Sequence, residues 1–104
     1  MSNVKELVAL LQDNKMKNVT VYDLSTPSEE KFVVMATSGS VLTGKKAADA
    51  VAARYNYTNK IEGYNKGEWI VFDFVGVTLH IFLAKVRDKY NLDKLYKPKK
   101  INLK

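Results

Sequence analysis

Four side chains with polar or mixed chemistry interrupt an otherwise apolar stretch of this 104-residue chain: Trp69, Asp73, Thr78 and His80. The positions between them are mostly valine, isoleucine, leucine and phenylalanine. Asp73 and His80 stand about three residues either side of Val75-Gly76, so a turn there would bring them near-opposite and let them share a hydrogen bond. Such a pair could transfer protons as a catalytic dyad, or it could give a binding surface its polar character.

His80 is the only histidine of the chain, and the chain has no cysteine. One imidazole without a second imidazole or a thiolate makes a poor metal site. No serine near His80 in the sequence is placed as an activated nucleophile would be. A nucleophile that is distant in the sequence but close to His80 in the fold stays open. We therefore predict no catalytic, metal-binding or cofactor-binding residue and favour a polar pair that shapes a surface.

A second candidate is the turn Thr37-Ser38-Gly39-Ser40, which directly precedes a predicted helix. Free backbone N–H groups and the helix dipole at such a point can bind phosphate. The turn lacks the lysine of a P-loop and the glycine spacing of a dinucleotide-binding loop. The next acid, Asp49, stands alone within the helix, and no predicted strand carries the paired carboxylates that hold magnesium in nucleotidyltransferases. Ser40 is therefore predicted to cap the helix, and phosphoryl transfer is not expected.

The elements that position the polar side chains are predicted from the spacing of their apolar neighbours. Residues 69–74 and 77–83 are rich in β-branched and aromatic residues and flank Gly76, which predicts an antiparallel hairpin. Alternation along the first strand puts Trp69 and Asp73 on one face and three apolar side chains on the other. The face with Asp73 is the less apolar, so Trp69 on it would be partly exposed. Two roles therefore stay open for Trp69, that of an interface anchor and that of a core residue.

Five residues after the hairpin are spaced like one face of a short helix: Arg87, Tyr90, Leu92, Leu95 and Tyr96. Exposed aromatic side chains beside arginine are typical of interface anchors. We therefore predict that the hairpin and this helix together form the working surface of the protein.

The rest of the chain supplies the scaffold. Residues 3–14 have apolar positions at helical spacing, with Asn3 or Ser2 as the cap and Asn14 as the end. Strands are predicted at 19–24, 32–36 and, as a short addition, 60–63, with a loop at 25–31 and a helix at 41–55. Strand, turn and helix in succession favour a right-handed crossover to a parallel strand. The order α-β-β-α-β-β-β-α predicts a single α/β or α+β domain with a mixed sheet of about five strands.

Composition limits where the protein acts and what it meets. No apolar run approaches the ~20 residues of a membrane span, no signal peptide is evident, and the absence of cysteine suits the cytoplasm. The net charge of +6 is uneven, with five lysines in the last eleven positions: Lys94, Lys97, Lys99, Lys100 and Lys104. We place a domain over residues 1–96 and a basic tail over 97–104, either a solvated, frayed end or a segment near nucleic acid.

A set of residues between Val19 and Tyr96 occurs in an order and spacing typical of one protein family: Val21-Tyr22-Asp23, Phe32-Val33-Val34, Ala36-Thr37, Ser40, Ala48-Asp49, Glu62-Gly63, Trp69, Asp73, His80, Phe82, Arg87, Tyr90, Leu92, Asp93, Leu95 and Tyr96. Over these residues the chain resembles the ribosome silencing factor family (RsfS, also called Iojap). It departs from the usual family pattern at Glu30-Lys31, Thr37-Ser38 and Val75-Gly76, which marks a divergent member.

The resemblance implies a domain similar to the nucleotidyltransferase fold without its catalytic carboxylates, and a protein that is not an enzyme. It also implies a translation repressor that binds the large ribosomal subunit through a ribosomal protein on the intersubunit face, the fourteenth of the large-subunit set, and obstructs joining of the small subunit. The residues carried over as partner-binding are Trp69, Asp73, Phe74, His80, Arg87 and Tyr90. We add the expectation that Lys97, Lys99 and Lys100 lie near ribosomal RNA.

Three alternatives stay open on the sequence alone. A general RNA-binding module would depend on the basic tail and would bind with steep salt dependence. A nucleotidyltransferase relic would bind nucleotide and magnesium near residues 38–40. Two copies of the chain could also associate through the same surface before either meets the ribosome.

Overall fold

A mixed five-stranded sheet with four α-helices forms the part of the chain that the computed structural model describes, residues 3–102. The predicted fold class is thereby confirmed. The elements in chain order are α1 (Val4–Asp13), β1 (Lys17–Asp23), β2 (Phe32–Ser38), α2 (Val41–Arg54), β3 (Trp69–Phe74), β4 (Val77–Leu83), α3 (Ala84–Tyr90), α4 (Leu92–Tyr96), a 3-10 helix (Lys97–Lys99) and β5 (Lys100–Ile101).

The strands lie in the order β3-β4-β2-β1-β5. β2 pairs with β4 in parallel, while the other neighbouring pairs are antiparallel. The strand-turn-helix succession therefore leads to a parallel partner, as predicted. β2 is central, and its residues from Val33 to Ser38 are all buried, which confirms that this apolar strand is covered on both faces.

α1 and α2 cover one face of the sheet, because each carries an apolar stripe that packs against the strands. Each of the two helices also begins at a clear capping residue. Asn3 caps α1 by accepting a hydrogen bond from the Glu6 backbone N–H at 3.0 Å, and Ser40 caps α2 by accepting one from Thr43 at 3.1 Å. Small residues let α2 sit close to the strands, and a methyl group added at Gly44 would lie 3.0 Å from the Ser38 hydroxyl. Within residues 3–102, no helix is long and apolar enough to cross a bilayer.

The fifth strand comes from the lysine-rich end of the chain rather than from residues 60–63. The latter make only a single bridge, between Glu62 and Val71, because Gly63 with its positive φ of 75° turns the chain away from the sheet edge. Lys100–Ile101 pairs instead with Val21 and Tyr22. The predicted basic tail is thus held to the sheet as far as Ile101, and Lys104 lies outside the described residues.

The helix expected after the hairpin is divided in two. Asn91 adopts a left-handed conformation, with φ 46° and ψ 49°, and ends α3 by donating its N–H to the Arg87 carbonyl at 2.9 Å. The change of direction means that the predicted residues do not share one face. Arg87 is buried, whereas Tyr90 and Leu95 are 53% and 68% exposed.

Candidate partner-binding surface

One face of the β3–β4 hairpin is left incompletely covered. Side chains on the other face of these strands are completely buried beneath α1 and α2, among them Ile70, Phe72, Leu79 and Ile81. We call the uncovered side the open face and define it by five residues that are half-buried or exposed: Trp69, Val71, Asp73, Thr78 and His80. The alternation predicted for the first strand is confirmed, and Trp69 is partly exposed as expected.

The open face exists because the helices on that side of the sheet cover only part of it. Side chains of α3 and α4, with Trp69 at their margin, pack on a second apolar cluster around Met35 and Phe82. That cluster lies on β2, β4 and the neighbouring part of β1. The β3 edge of the sheet is therefore where the cover ends.

Trp69 is held at this margin by directed contacts. Its indole N–H donates a hydrogen bond to Nδ1 of His80 at 2.9 Å. The ring centroid of Trp69 lies 4.9 Å from that of Tyr90 and 5.7 Å from that of Phe82, distances typical of favourable aromatic pairs. These contacts fix the orientation of the largely apolar Trp69 side chain before a partner binds.

Asp73 and His80 do not lie opposite each other and share no hydrogen bond, so the expectation that they form a pair is wrong. The two-residue turn at Val75-Gly76 pairs Phe74 with Val77, and counting outwards puts Asp73 opposite Thr78 and Val71 opposite His80. Asp73 is exposed, and its backbone N–H donates to the Tyr57 hydroxyl at 3.2 Å. Burial lowers the pKa of His80, which favours a neutral imidazole on the open face.

Phe74 lies on the opposite side of the sheet from Trp69. Its ring contacts those of Tyr55 and Tyr57 at centroid distances of 5.7 and 5.1 Å, and it stacks on Phe72. The alternation of the strand separates it from the open face. A shared contact surface for Phe74 and Trp69 would have to wrap around the end of the hairpin.

Arg87 is a buried structural residue rather than an exposed anchor. The residue is only 8% exposed, and its guanidinium donates to both carboxylate oxygens of Asp93, each at 2.8 Å. Further hydrogen bonds go to the hydroxyls of Thr37 and Thr20 at 2.9 and 2.8 Å and to the Asn18 carbonyl at 2.7 Å. All five N–H donors of Arg87 are accounted for, so none remains for a partner.

Asp93 connects this arginine to the sheet a second time by accepting a hydrogen bond from the Tyr22 hydroxyl. The hydrogen bond from Arg87 is the main reason why the pKa of Asp93 falls below its ordinary value. Burial alone would lower the pKa of Arg87, but the contact with Asp93 outweighs it and raises the pKa. The charged pair thus fastens α3 and α4 over β1 and β2 and fixes where Tyr90 stands.

The lysines at the chain end lie away from the open face, beside β1. Lys97 and Lys100, together with Lys94, line a cavity of about 780 Å³ that also includes Thr20 and Arg87. Lys99 is exposed in the 3-10 helix. The structure therefore groups the basic residues at a fixed place on the surface.

The exposed leucine of α4 and the role of Asp93 escaped sequence reasoning. Leu95 was expected on the same helical face as Arg87, and only the left-handed residue Asn91 separates them. Asparagine is one of the few residues that adopt this conformation readily, so Asn91 was the available signal. For Asp93 the available signal was its position as the only acidic residue beside the lysines of the chain end.

Comparison with known proteins gives a family and two related folds. A family model described as ribosomal silencing factor during starvation matches residues 1–104. Among curated proteins, the chain is similar to the ribosomal silencing factor RsfS of Zymomonas mobilis, with 27% identity over 92 residues that cover 85% of this chain and 69% of that protein. It is also similar to the RsfS of Chromobacterium violaceum, with 29% identity over 97 residues that cover 88% of this chain and 80% of that protein.

Two solved structures share the architecture. A crystal structure of a protein from Chromobacterium violaceum superposes with a TM-score of 0.77 at 27% identity, covering 91% of this chain and 87% of that one. A crystal structure of a protein from Bacillus halodurans gives a TM-score of 0.76 and covers 96% of both chains. Its 23% identity supports the fold alone.

Proposed function

Because this chain belongs to the ribosomal silencing factor family, a regulatory and non-enzymatic family whose partner is the ribosome, we propose that it represses translation by occupying the large ribosomal subunit. Bound at the intersubunit side, it prevents the small subunit from joining. The mechanism is steric, so it needs a stable interface and no chemical step. The protein acts in the cytoplasm, where ribosomal subunits meet.

The open face is the observation that carries this proposal. Its aromatic centre is Trp69, which lies against Tyr90 of the adjoining helix α3, and its polar groups are Asp73, Thr78 and His80. This arrangement corresponds to the apolar centre and polar rim of protein–protein interfaces. A partner that covers the open face would complete the burial that α3 and α4 leave unfinished.

The partner at the open face is a ribosomal protein of the intersubunit side, the fourteenth of the large-subunit set. Trp69, Tyr90, Asp73 and His80 contact it directly. Arg87 acts from beneath by holding α3 in place, since its donors are all engaged within the chain. Phe74 contributes only if the partner extends around the end of the hairpin.

Ribosomal RNA lies near the basic residues at the chain end. Lys97, Lys99 and Lys100 are exposed, and the attachment of β5 to β1 holds them in position. Lysines that neutralise phosphates release counterions, which strengthens binding at low salt. The net charge of +6 also favours encounter with an RNA-rich particle.

Cosedimentation with isolated large subunits tests the proposal, followed by addition of small subunits. We expect the protein to travel with the large subunit and to reduce the fraction of joined ribosomes. Binding to free RNA as tightly as to the subunit would favour the general RNA-binding alternative instead. If two copies associate through the open face, self-association and subunit binding exclude each other, and the dimer fraction falls as subunits are added.

A further inference from the structure

We propose that His80 donates a hydrogen bond from its Nε2–H to an oxygen acceptor of the docking partner, and that Trp69 determines which ring nitrogen carries that proton. The inference rests on the open face being the docking surface. It adds an atom-level requirement: at this point the partner presents a carbonyl or carboxylate oxygen.

The first step is the direction of the hydrogen bond between the two rings. An indole nitrogen can only donate, so the bond of 2.9 Å from Trp69 Nε1 ends on a lone pair of His80 Nδ1. A neutral imidazole carries one proton, and with Nδ1 accepting, that proton must be on Nε2. Trp69 therefore selects the tautomer of His80.

The second step is the state of Nε2. Within residues 3–102, Nε2 of His80 makes no hydrogen bond, and it is not completely buried. The half-buried side chain therefore offers this nitrogen at the open surface. The imidazole is braced by Trp69 and by the Phe82 ring, whose centroid lies 5.9 Å away. A donor held in one orientation gives a docking partner direction as well as energy.

The third step is what such a donor selects. Lysine and arginine side chains offer donors and no acceptor, so neither can pair with Nε2–H. A buried donor left without an acceptor costs the full desolvation penalty of that group. A partner that places an oxygen opposite His80 is therefore favoured over one that places a cation or an apolar group there.

The tautomer can be measured in the free protein, without any ribosome. In a long-range ¹H–¹⁵N NMR spectrum, we expect the single histidine to show its proton on Nε2 and none on Nδ1. Trp69→Phe removes the indole donor, and the spectrum should then show a mixture of both tautomers. A wild-type proton on Nδ1, or a tautomer that Trp69→Phe leaves unchanged, would overturn the inference.

Two substitutions separate the two nitrogens on the ribosome. In His80→Asn the side-chain oxygen can replace Nδ1 as the acceptor for Trp69, but no group reaches the place of Nε2. In His80→Gln the terminal NH₂ can replace Nε2 as a donor, while the lock on Trp69 is lost. We expect His80→Asn to weaken binding to large subunits by about tenfold, as loss of one buried hydrogen bond predicts, and His80→Gln to weaken it less.

The reverse order, with His80→Asn binding better than His80→Gln, would contradict a donor role for Nε2. Thermal unfolding of both variants confirms that each is folded before binding is compared. If wild-type protein does not bind large subunits at all, the proposed function fails together with the partner half of the inference. The NMR spectrum still decides the tautomer half independently.

Discussion

Arg87 and Asp93 are joined by two hydrogen bonds of 2.8 Å across the break between α3 and α4. The pair faces the sheet, where Arg87 also reaches Thr37 and Asp93 accepts from Tyr22. An arginine that sequence reasoning placed on the interface is therefore part of the scaffold. We therefore expect it to affect binding only indirectly, through the position of Tyr90, the last residue of α3.

Substituting Arg87 by alanine should reduce the stability of the fold. It leaves Asp93 without its main partner and removes the donors to Thr20 and Thr37. Because the arginine is buried but the Asp93 carboxylate is partly solvated, we expect a loss of about 2–3 kcal/mol in the free energy of unfolding, below the range for fully buried pairs. Urea denaturation of Arg87→Ala measures it.

Arg54 offers the matched control, since it also pairs with an acid, Glu6, but is 54% exposed. Exposed pairs contribute little, so Arg54→Ala should cost about 0–1 kcal/mol. Equal effects of the two substitutions would show that burial of the Arg87 network adds nothing to stability.

The stability of the protein should depend on the protonation of His80. Burial lowers the pKa of this imidazole in the folded state below its ordinary value of 6.5, so the folded state binds the proton less readily than the unfolded state. The contribution of neutral His80 to stability is therefore fully present above pH 6.5, and it is lost as the pH drops through 6.5 towards the folded-state pKa. Protonation of Nδ1 would also remove the acceptor of the hydrogen bond from Trp69, because two N–H donors would then face each other.

Unfolding midpoints measured between pH 5 and pH 8 test this dependence. His80→Gln has no imidazole, so the decline between pH 7 and pH 5 should be smaller in this variant than in the wild type. Parallel curves for the two proteins would mean that His80 has the same proton affinity in the folded and unfolded states.

The lysines of the chain end should control the salt dependence of ribosome binding. If Lys97 and Lys100 contact phosphates as proposed, substituting both by glutamine removes two contacts, each of which contributes about 0.7–0.9 to the slope of log K against log salt concentration. We expect a shallower slope and weaker binding at low salt, measured by cosedimentation across a salt series. Lys46 and Lys66 are exposed elsewhere on the protein, and their glutamine variants serve as the control pair. A slope that changes equally in both pairs would reflect net charge rather than a located contact.

Much of the frame was predictable because it depends on local patterns. Asn3 and Ser40 cap their helices as their residue types indicate, and the apolar run at the centre of the sheet lies where a strand covered on both faces belongs. Gly76, with a φ of 80°, closes the hairpin. Each of these features follows from a few neighbouring residues and their backbone preferences.

The register and the partners of the site were not predictable in the same way. The position of the turn decides whether Asp73 meets Thr78 or His80, and a shift of two residues changes the pair completely. The environment of Arg87 depends on Asn18 and Thr20, which are almost seventy positions away in the chain. Such contacts arise from tertiary packing and leave no mark in local spacing.

The binding of Trp69→Ala to isolated large subunits tests the central claim most directly, with Leu42→Ala as the matched control. Leu42 is an exposed apolar residue, 62% accessible, on α2 and away from the open face. If the open face is the docking surface, Trp69→Ala remains folded and loses about 1–3 kcal/mol of binding free energy, as truncated interface anchors do, while Leu42→Ala binds like the wild type. Folded Trp69→Ala that binds large subunits with unchanged affinity would contradict the account.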